Sequence, residues 1–223
     1  MNVYSILGIF VVLAVIGLIV YFVAFRGQAR GDAVTIVSGS QPGDTPVTRS
    51  IVLPTSFNQP QGAVYSYMGW ILVKDFTVGY GETRKVLSKG DAPGIYLDST
   101  SNSLVFSVKT YGTTETILIP GISAMKWIHF AMVVDQSSVD IYINGTLRQH
   151  HTLGQLPDQT DDPIVMGPGW SGVLARVNYF PRAVSIQEIR KDASQPLPDS
   201  MERTVSGPNY FDMSWYIGRL NSI

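Results

Sequence analysis

Three patterns of apolar and polar residues divide the chain. From Tyr4 to Phe25 (YSILGIFVVLAVIGLIVYFVAF) there is no charged residue. About 22 residues at ~1.5 Å per residue make a helix of roughly 33 Å, the thickness of a hydrocarbon core. This predicts a transmembrane helix over residues 1–26. Phe10 sits in its apolar body, and Tyr4, Tyr21 and Phe25 lie toward its ends, where aromatic rings favour the headgroup boundary. A cleaved signal peptide fits less well, because no basic residue precedes the run, the run is too long, and no small-residue cleavage site comes after it. A soluble helix would show a polar face. Arg26 and Arg30 come directly after the run and no Lys or Arg precedes it. The positive-inside rule therefore predicts a single-pass membrane protein whose C-terminal domain faces the cytoplasm.

Residues 27–50 are rich in Gly, Ser, Thr and Pro and show no periodicity beyond a short strand at Val34–Val37. They read as a linker, equally a spacer above the bilayer or a loop packed on the domain beyond residue 50. From residue 51 the pattern becomes short β-rich runs between turn residues. Strands are predicted at Ala63–Val73, Arg84–Leu87, Gly94–Asp98, Ser103–Lys109, Thr114–Ile119, Trp127–Asp135, Ser138–Ile143, Thr146–Thr152, Ile164–Met166 and Gly172–Phe180. In SVDIYI, Val139, Ile141 and Ile143 share one face, and Asn144-Gly145 supplies a two-residue hairpin turn tolerant of positive φ. Strands at such spacing predict an all-β antiparallel sandwich or barrel over residues 51–193. One short helix is expected where Ser185 and Glu188 form a capping box. Residues 194–223 form a C-terminal arm whose Tyr210, Phe211, Trp215 and Tyr216 cluster after a Pro-rich link. So apolar a tail is expected to dock, on its own domain or on a partner.

Composition narrows the partners. Net charge is −1 and charged residues are 15% of the chain, with Lys and Arg scattered, so no basic patch suits a nucleic acid. There is no cysteine, which removes disulfide and thiolate chemistry and favours a reducing compartment.

Four segments in order, from about Ser50 to Ala193, carry a family resemblance: YSYMGWILV at Tyr65–Val73, KVLSKGDAPGIYL at Lys85–Leu97, MKWIHFAMVVDQSSVDIYING at Met125–Gly145, and WSGVLARVNYFPRAVSIQEI at Trp170–Ile189. Together they resemble the concanavalin A-like lectin/glucanase superfamily in its laminin G-like form, which implies a jelly-roll β-sandwich. Two departures fall in the last segment: Ala175 stands where the family has an acidic residue, and Pro181 where it has Asn. Leu53–Trp70, coming after an anchor and a polar linker, resembles membrane-anchored concanavalin A-like proteins of large DNA viruses. That narrower resemblance implies a virion structural protein between an internal membrane and the capsid, with the bilayer and capsid proteins as partners.

Related folds include glycan hydrolases, whose retaining members place two Glu on one strand as E-x-D-x-x-E. The four glutamates here, Glu82, Glu115, Glu188 and Glu202, match no such spacing, so no catalytic residue and no enzyme are expected. His129 reads as a strand residue, and His150 and His151 point to opposite strand faces, unsuited to one metal. No cofactor is expected. Calcium, which many laminin G-like domains bind at the rim, has only Asp91 and Asp98 as candidates, and Asp in such loops commonly makes turns. Tyr80, Tyr111 and Trp170 stand beside glycines and are candidate rim residues for stacking on sugars, although the family pattern also suits Trp170 to the core. Asn144-Gly145-Thr146 matches a glycosylation acceptor, in residues the hairpin turn itself requires. The expected function is a membrane-tethered recognition or scaffold module, with a carbohydrate-binding module as the alternative.

Overall fold

The computed structural model describes residues 14, 15, 17, 33–54, 64–90 and 94–196. Among the described residues from Val34 to Pro196, twelve strands and one helix come in the order β1 (Val34–Pro42), β2 (Val47–Arg49), β3 (Val64–Asp75), β4 (Arg84–Lys89), β5 (Gly94–Leu97), β6 (Leu104–Lys109), β7 (Thr114–Ile119), β8 (Trp127–Asp135), β9 (Ser138–Ile143), β10 (Thr146–Thr152), β11 (Ile164–Met166), β12 (Ser171–Phe180) and α1 (Ile186–Ala193). They build two six-stranded sheets, ordered β1-β12-β3-β8-β9-β10 and β2-β11-β4-β5-β6-β7. All pairs are antiparallel. β7 to β11 keep the bounds read from the sequence, and the other strands expected beyond residue 51 shift by two residues at most, because alternation marks them clearly, whereas the short strand expected at Val34–Val37 runs on to Pro42.

The sandwich starts earlier than the sequence pattern indicates. Residues expected to be a linker form β1 and β2, at sheet edges. β1 buries only Ile36 and Val37 and slips register twice against β12. Edge position and bulges erase the two-residue period by which a strand is recognised. The domain boundary therefore moves from residue 51 to Val34. Of the expected anchor, only Ala14, Val15 and Gly17 are described, as exposed helical residues. The anchor itself, with Tyr4, Phe10, Tyr21, Phe25, Arg26 and Arg30, lies outside the described residues, and so does the arm with Tyr210, Phe211, Trp215 and Tyr216. Among the described residues no helix is long and apolar enough to cross a membrane.

The core lies between the sheets. Ile71, Phe130, Ile141 and Leu174 from the first sheet meet Leu87, Ile95, Phe106 and Ile117 from the second. Burying a side chain of this size contributes about 1.5–3 kcal/mol. Toward the end where the chain enters β1, Tyr65, Tyr67 and Tyr179 form an aromatic cluster with centroid separations of 5.9, 6.3 and 5.1 Å. Tyr179 donates its hydroxyl to Pro54 O at 2.7 Å, and burial pushes its pKa up to about 12. Trp170 lies between Gly43 and Gly172, where a Cβ would collide with its ring.

The outer face of the first sheet carries a second layer. Ile189 of α1 and Val184 before it pack on Met68, Ala131 and Val133. The expected capping box forms: Ser185 Oγ accepts from Glu188 N, and Glu188 accepts from Ser185 N. Glu188 also accepts from both terminal nitrogens of Arg182, at 3.0 and 2.7 Å. The expected hairpin turn forms too, with φ of 50° at Asn144 and 74° at Gly145. β10 ends the first sheet as a mostly exposed edge strand bearing Arg148, His150 and His151.

Candidate functional site

The sandwich has two ends, which register distinguishes. At the entry end lie the start of β1, the β6–β7 and β8–β9 turns, and the long 153–163 connection from β10 to β11. At the far end lie the β3–β4, β5–β6 and β7–β8 loops and the Asn144-Gly145 turn. Of the three aromatic candidates, Trp170 is 1% exposed, with its indole N–H also buried. It is a core residue and offers no face to a ligand, because two glycines let the backbone close around it. Tyr80 and Tyr111 are exposed by 63% and 68%, but Tyr80 is on the β3–β4 loop at the far end and Tyr111 on the β6–β7 turn at the entry end. No single rim site holds them both.

Asp98 is a turn former. Its Oδ2 accepts from Thr100 N at 3.2 Å and Ser101 N at 2.8 Å, and hydrogen bonds from Ser101 and Thr100 hold its carboxyl below the usual range. Asp91 lies outside the described residues. Among the described residues no three His, Asp or Glu side chains are grouped to hold a metal ion.

Each histidine has a carboxylate partner of its own. His151 Nε2 meets Glu115 Oε2 at 2.7 Å, joining edge strand β10 of one sheet to edge strand β7 of the other. Glu115 also accepts from Gly154 N at 2.8 Å, and the bonds from His151 and Gly154 lower its pKa. His150 Nδ1 meets Asp140 Oδ1 at 2.6 Å on the outer face. His129, fully buried on the same face, places Nε2 3.1 Å from Asp192 Oδ2 of α1. The described glutamates sit apart: Glu82 exposed in a loop, Glu115 joined to His151, and Glu188 joined to Arg182.

A concavity of about 420 Å³ lies at the entry end, between Ser50–Leu53, Lys89 and Asp161–Pro163. Lys89 is 8% exposed, and its ammonium donates to Thr160 O. Burial lowers its pKa, and Asp161 and Asp162 pull the other way. A buried donor, two acidic acceptors and an aliphatic wall from Ile51 and Leu53 make a place where hydroxyl groups could both donate and accept. Sequence reasoning did not single out these residues. The only signal was Lys89 closing β4 (RKVLSK) just after its two apolar residues and Ser88. At the far end Arg84, also buried, donates to Phe76 O at 2.6 Å and Ser101 O at 3.2 Å and ties two loops together.

This architecture defines the class, a lectin-like two-sheet jelly roll. Residues 47–190 match the model of the concanavalin A-like lectin/glucanases superfamily, in its laminin G form. That is more than half of the chain, and the chain belongs to this superfamily. Among curated proteins none matches in sequence. Solved structures with the same fold include the receptor binding domain of botulinum neurotoxin D, at TM-score 0.56 and 12% identity over 73% of this chain and 47% of that one. The neurotoxin D ligand binding domain in complex with N-acetylneuraminic acid matches at TM-score 0.58 and 10% identity, over 74% and 46% of the two chains. The binding domain of Paraclostridial Mosquitocidal Protein 1 matches at 0.52 and 17%, over 73% and 47%. The chain spans less than half the length of these domains, and at such identities the likeness is one of fold. The family's acidic position is Ala175 here, fully buried beside Trp70 on the outer face, where an unpaired carboxylate would be costly.

Proposed function

We propose that the chain is a membrane-tethered, non-catalytic recognition or scaffold module, a structural protein of a large DNA virus particle. In this reading residues 4–25 cross an internal membrane and the sandwich faces the cytoplasmic side, where it contacts capsid proteins. The observation that carries the proposal is where the sandwich begins. β1 starts about eight residues after Phe25, a leash of at most ~27 Å, so the entry end stays close to the bilayer and the far end faces away. The far end exposes Val78, Tyr80 and Met125 by 45%, 63% and 49%, an apolar group of the kind used in protein contacts. The absence of paired catalytic glutamates and of cysteine agrees with a structural role in a reducing compartment.

The test is alkaline extraction and protease protection of the full chain in intact membranes. The proposal expects retention in the membrane, digestion of the sandwich from the cytoplasmic side, and co-purification of capsid proteins that Tyr80→Ala together with Met125→Ser weakens. Release by alkali, or complete protection of the sandwich, overturns it.

A carbohydrate-binding module is the second reading, favoured by the Lys89–Asp161–Asp162 cavity. One structural relative was captured with N-acetylneuraminic acid, which makes sialylated glycans a sensible first probe. Glycan-array binding by the full chain in nanodiscs, lost in Lys89→Met, would select this reading. Array binding that survives Lys89→Met, or none at all, would remove it.

A further inference from the structure

At the far end β8 outruns its neighbour. Its first residue, Trp127, pairs with Leu72 of β3, but its ladder with β9 starts only at Phe130, opposite Ile143. The β9–β10 hairpin turns back at Asn144, whose N–H donates to His129 O at 2.8 Å and whose Oδ1 accepts from His129 N at 2.9 Å. Beyond that turn a notch of about 130 Å³ is left between the start of β8, the turn and the β7–β8 loop. Its floor is apolar, because Ile122, Ile128 and Ile143 are core residues exposed by only 5%, 5% and 6%. Its loop wall is fixed at two points: Ile122 N donates to Asn102 O at 2.9 Å, and Met125 N to Val73 O at 2.7 Å.

The rim is cationic. Lys126 and Arg148 line the notch and are exposed. Arg148 sits at the register slip of β10, between Leu147 and Gln149, and such a bulge re-aims a side chain out of the regular alternation. Among the described residues neither cation has a carboxylate within ion-pair distance. Nearby carboxylates are committed otherwise, Asp75 to Thr77, Asp98 to the β5–β6 turn and Asp192 to His129, and Glu82 on the β3–β4 loop pairs with neither. Asn144 adds the donors of its amide nitrogen, since its oxygen is taken by His129, and Ser123 adds a hydroxyl. Pockets that enclose a small molecule begin at about 300 Å³, so this notch takes little more than one side chain. A bare oxyanion would gain nothing from the isoleucines. The two methylenes of a glutamate would cover them while its carboxylate reaches the cations.

We propose that this notch receives a glutamate side chain from a protein partner, with Lys126 and Arg148 as its cations and Asn144 Nδ2 as a further donor. The inference rests on the reading of the far end as a protein-contact surface and names the chemistry of that contact. Next to the exposed Met125, whose apolar contact is non-directional, a seated carboxylate fixes the partner's register.

The test is a titration of the isotopically labelled full chain in detergent micelles, followed through the backbone amide resonances of Ser123, Lys126, Asn144 and Arg148. The probes are the blocked tripeptide acetyl-Gly-Glu-Gly-amide and its Gln counterpart. The Glu peptide should shift these amides saturably at millimolar concentration, and the Gln peptide should bind about fivefold more weakly. Lys126→Gln and Arg148→Gln should each weaken the Glu peptide about threefold, and the double variant should abolish its binding while the rest of the spectrum stays native. Absence of shifts, an equal response to the Gln peptide, or a response that survives the double variant overturns the proposal. So does a stronger response to inorganic phosphate or to N-acetylneuraminic acid, which would assign the notch to another anion. The titration needs neither a capsid protein nor a membrane orientation, so its failure leaves the tethered reading standing. Release of the chain by alkali, in turn, leaves the notch untouched.

Discussion

Glu188→Gln isolates a single contact under α1. The native carboxylate accepts from both terminal nitrogens of Arg182 and from Ser185 N. Gln still has one oxygen for the cap but loses the charge that holds the guanidinium. In the fold the Glu188 carboxyl is lowered from 4.5 to about 2, first by the hydrogen bond from Arg182. At ~1.4 kcal/mol per decade that gap corresponds to roughly 3 kcal/mol. The two side chains keep 20% and 31% of their exposure, so solvent screening brings the expected loss to about 1–2 kcal/mol. For a domain of this size each kcal/mol moves Tm by about 2–4 °C. Because the folded pKa is depressed, the contribution is complete above the unfolded value of 4.5 and fades as pH falls toward 2. Thermal unfolding of the full chain in micelles, monitored by circular dichroism, should show Glu188→Gln several degrees below the native protein at about pH 7. The difference should shrink to roughly a quarter of that near pH ~2.5. A constant difference at both pH values would refute the electrostatic account, and no difference at neutral pH would refute the contact's importance.

Glu115→Gln loosens the join between the free edges of the two sheets and should cost about 0.5–1 kcal/mol. Its effect should likewise vanish as pH falls below the carboxylate range, because the folded pKa is lowered, and thermal melts at about pH 7 and about pH 3 check this. Trp170→Ala should lose about 3–5 kcal/mol through the cavity it leaves. Tyr80→Ala and Tyr111→Ala should change Tm by less than about 2 °C, so denaturation curves separate the core aromatic from the surface ones. Asp98→Ala removes the acceptor of the β5–β6 turn and should cost about 1 kcal/mol, whereas Asp98→Asn keeps the acceptor and should cost less than about half of that in the same melts.

The strands of the sandwich were legible because each buries one face in a two-residue rhythm, and residues such as Val139, Ile141 and Ile143 display it openly. Of β1 only its start, Val34–Val37, was, since an edge strand with two bulges and two buried residues has no rhythm to carry the reading further, and three-residue β2 is too short to show one. The helix cap was visible because Ser185 and Glu188 act over three residues. The candidate site was harder. Aromatic residues beside glycine look alike in sequence, yet Gly43 and Gly172 close around Trp170 from positions on either side of it in the chain, while Tyr80 and Tyr111 end up at opposite ends. Lys89 and Arg84 are buried because carbonyls of Thr160, Phe76 and Ser101 receive them. Such partners are set by the fold and leave no local trace.

If the domain is held on a bilayer, as we propose, the mostly exposed edge strand β10 has a further meaning. Confinement to a surface makes neighbouring copies meet sideways, at high local concentration and in a shared upright orientation. An unguarded edge strand would then nucleate sheet-to-sheet growth across the membrane. β10 presents Arg148, His150 and His151 and departs from regular register between Leu147 and Gln149, two devices that discourage such pairing. On that reading, crowded copies would lie flank to flank without fusing their sheets, and the far-end loops would stay free to make the contacts proposed for them.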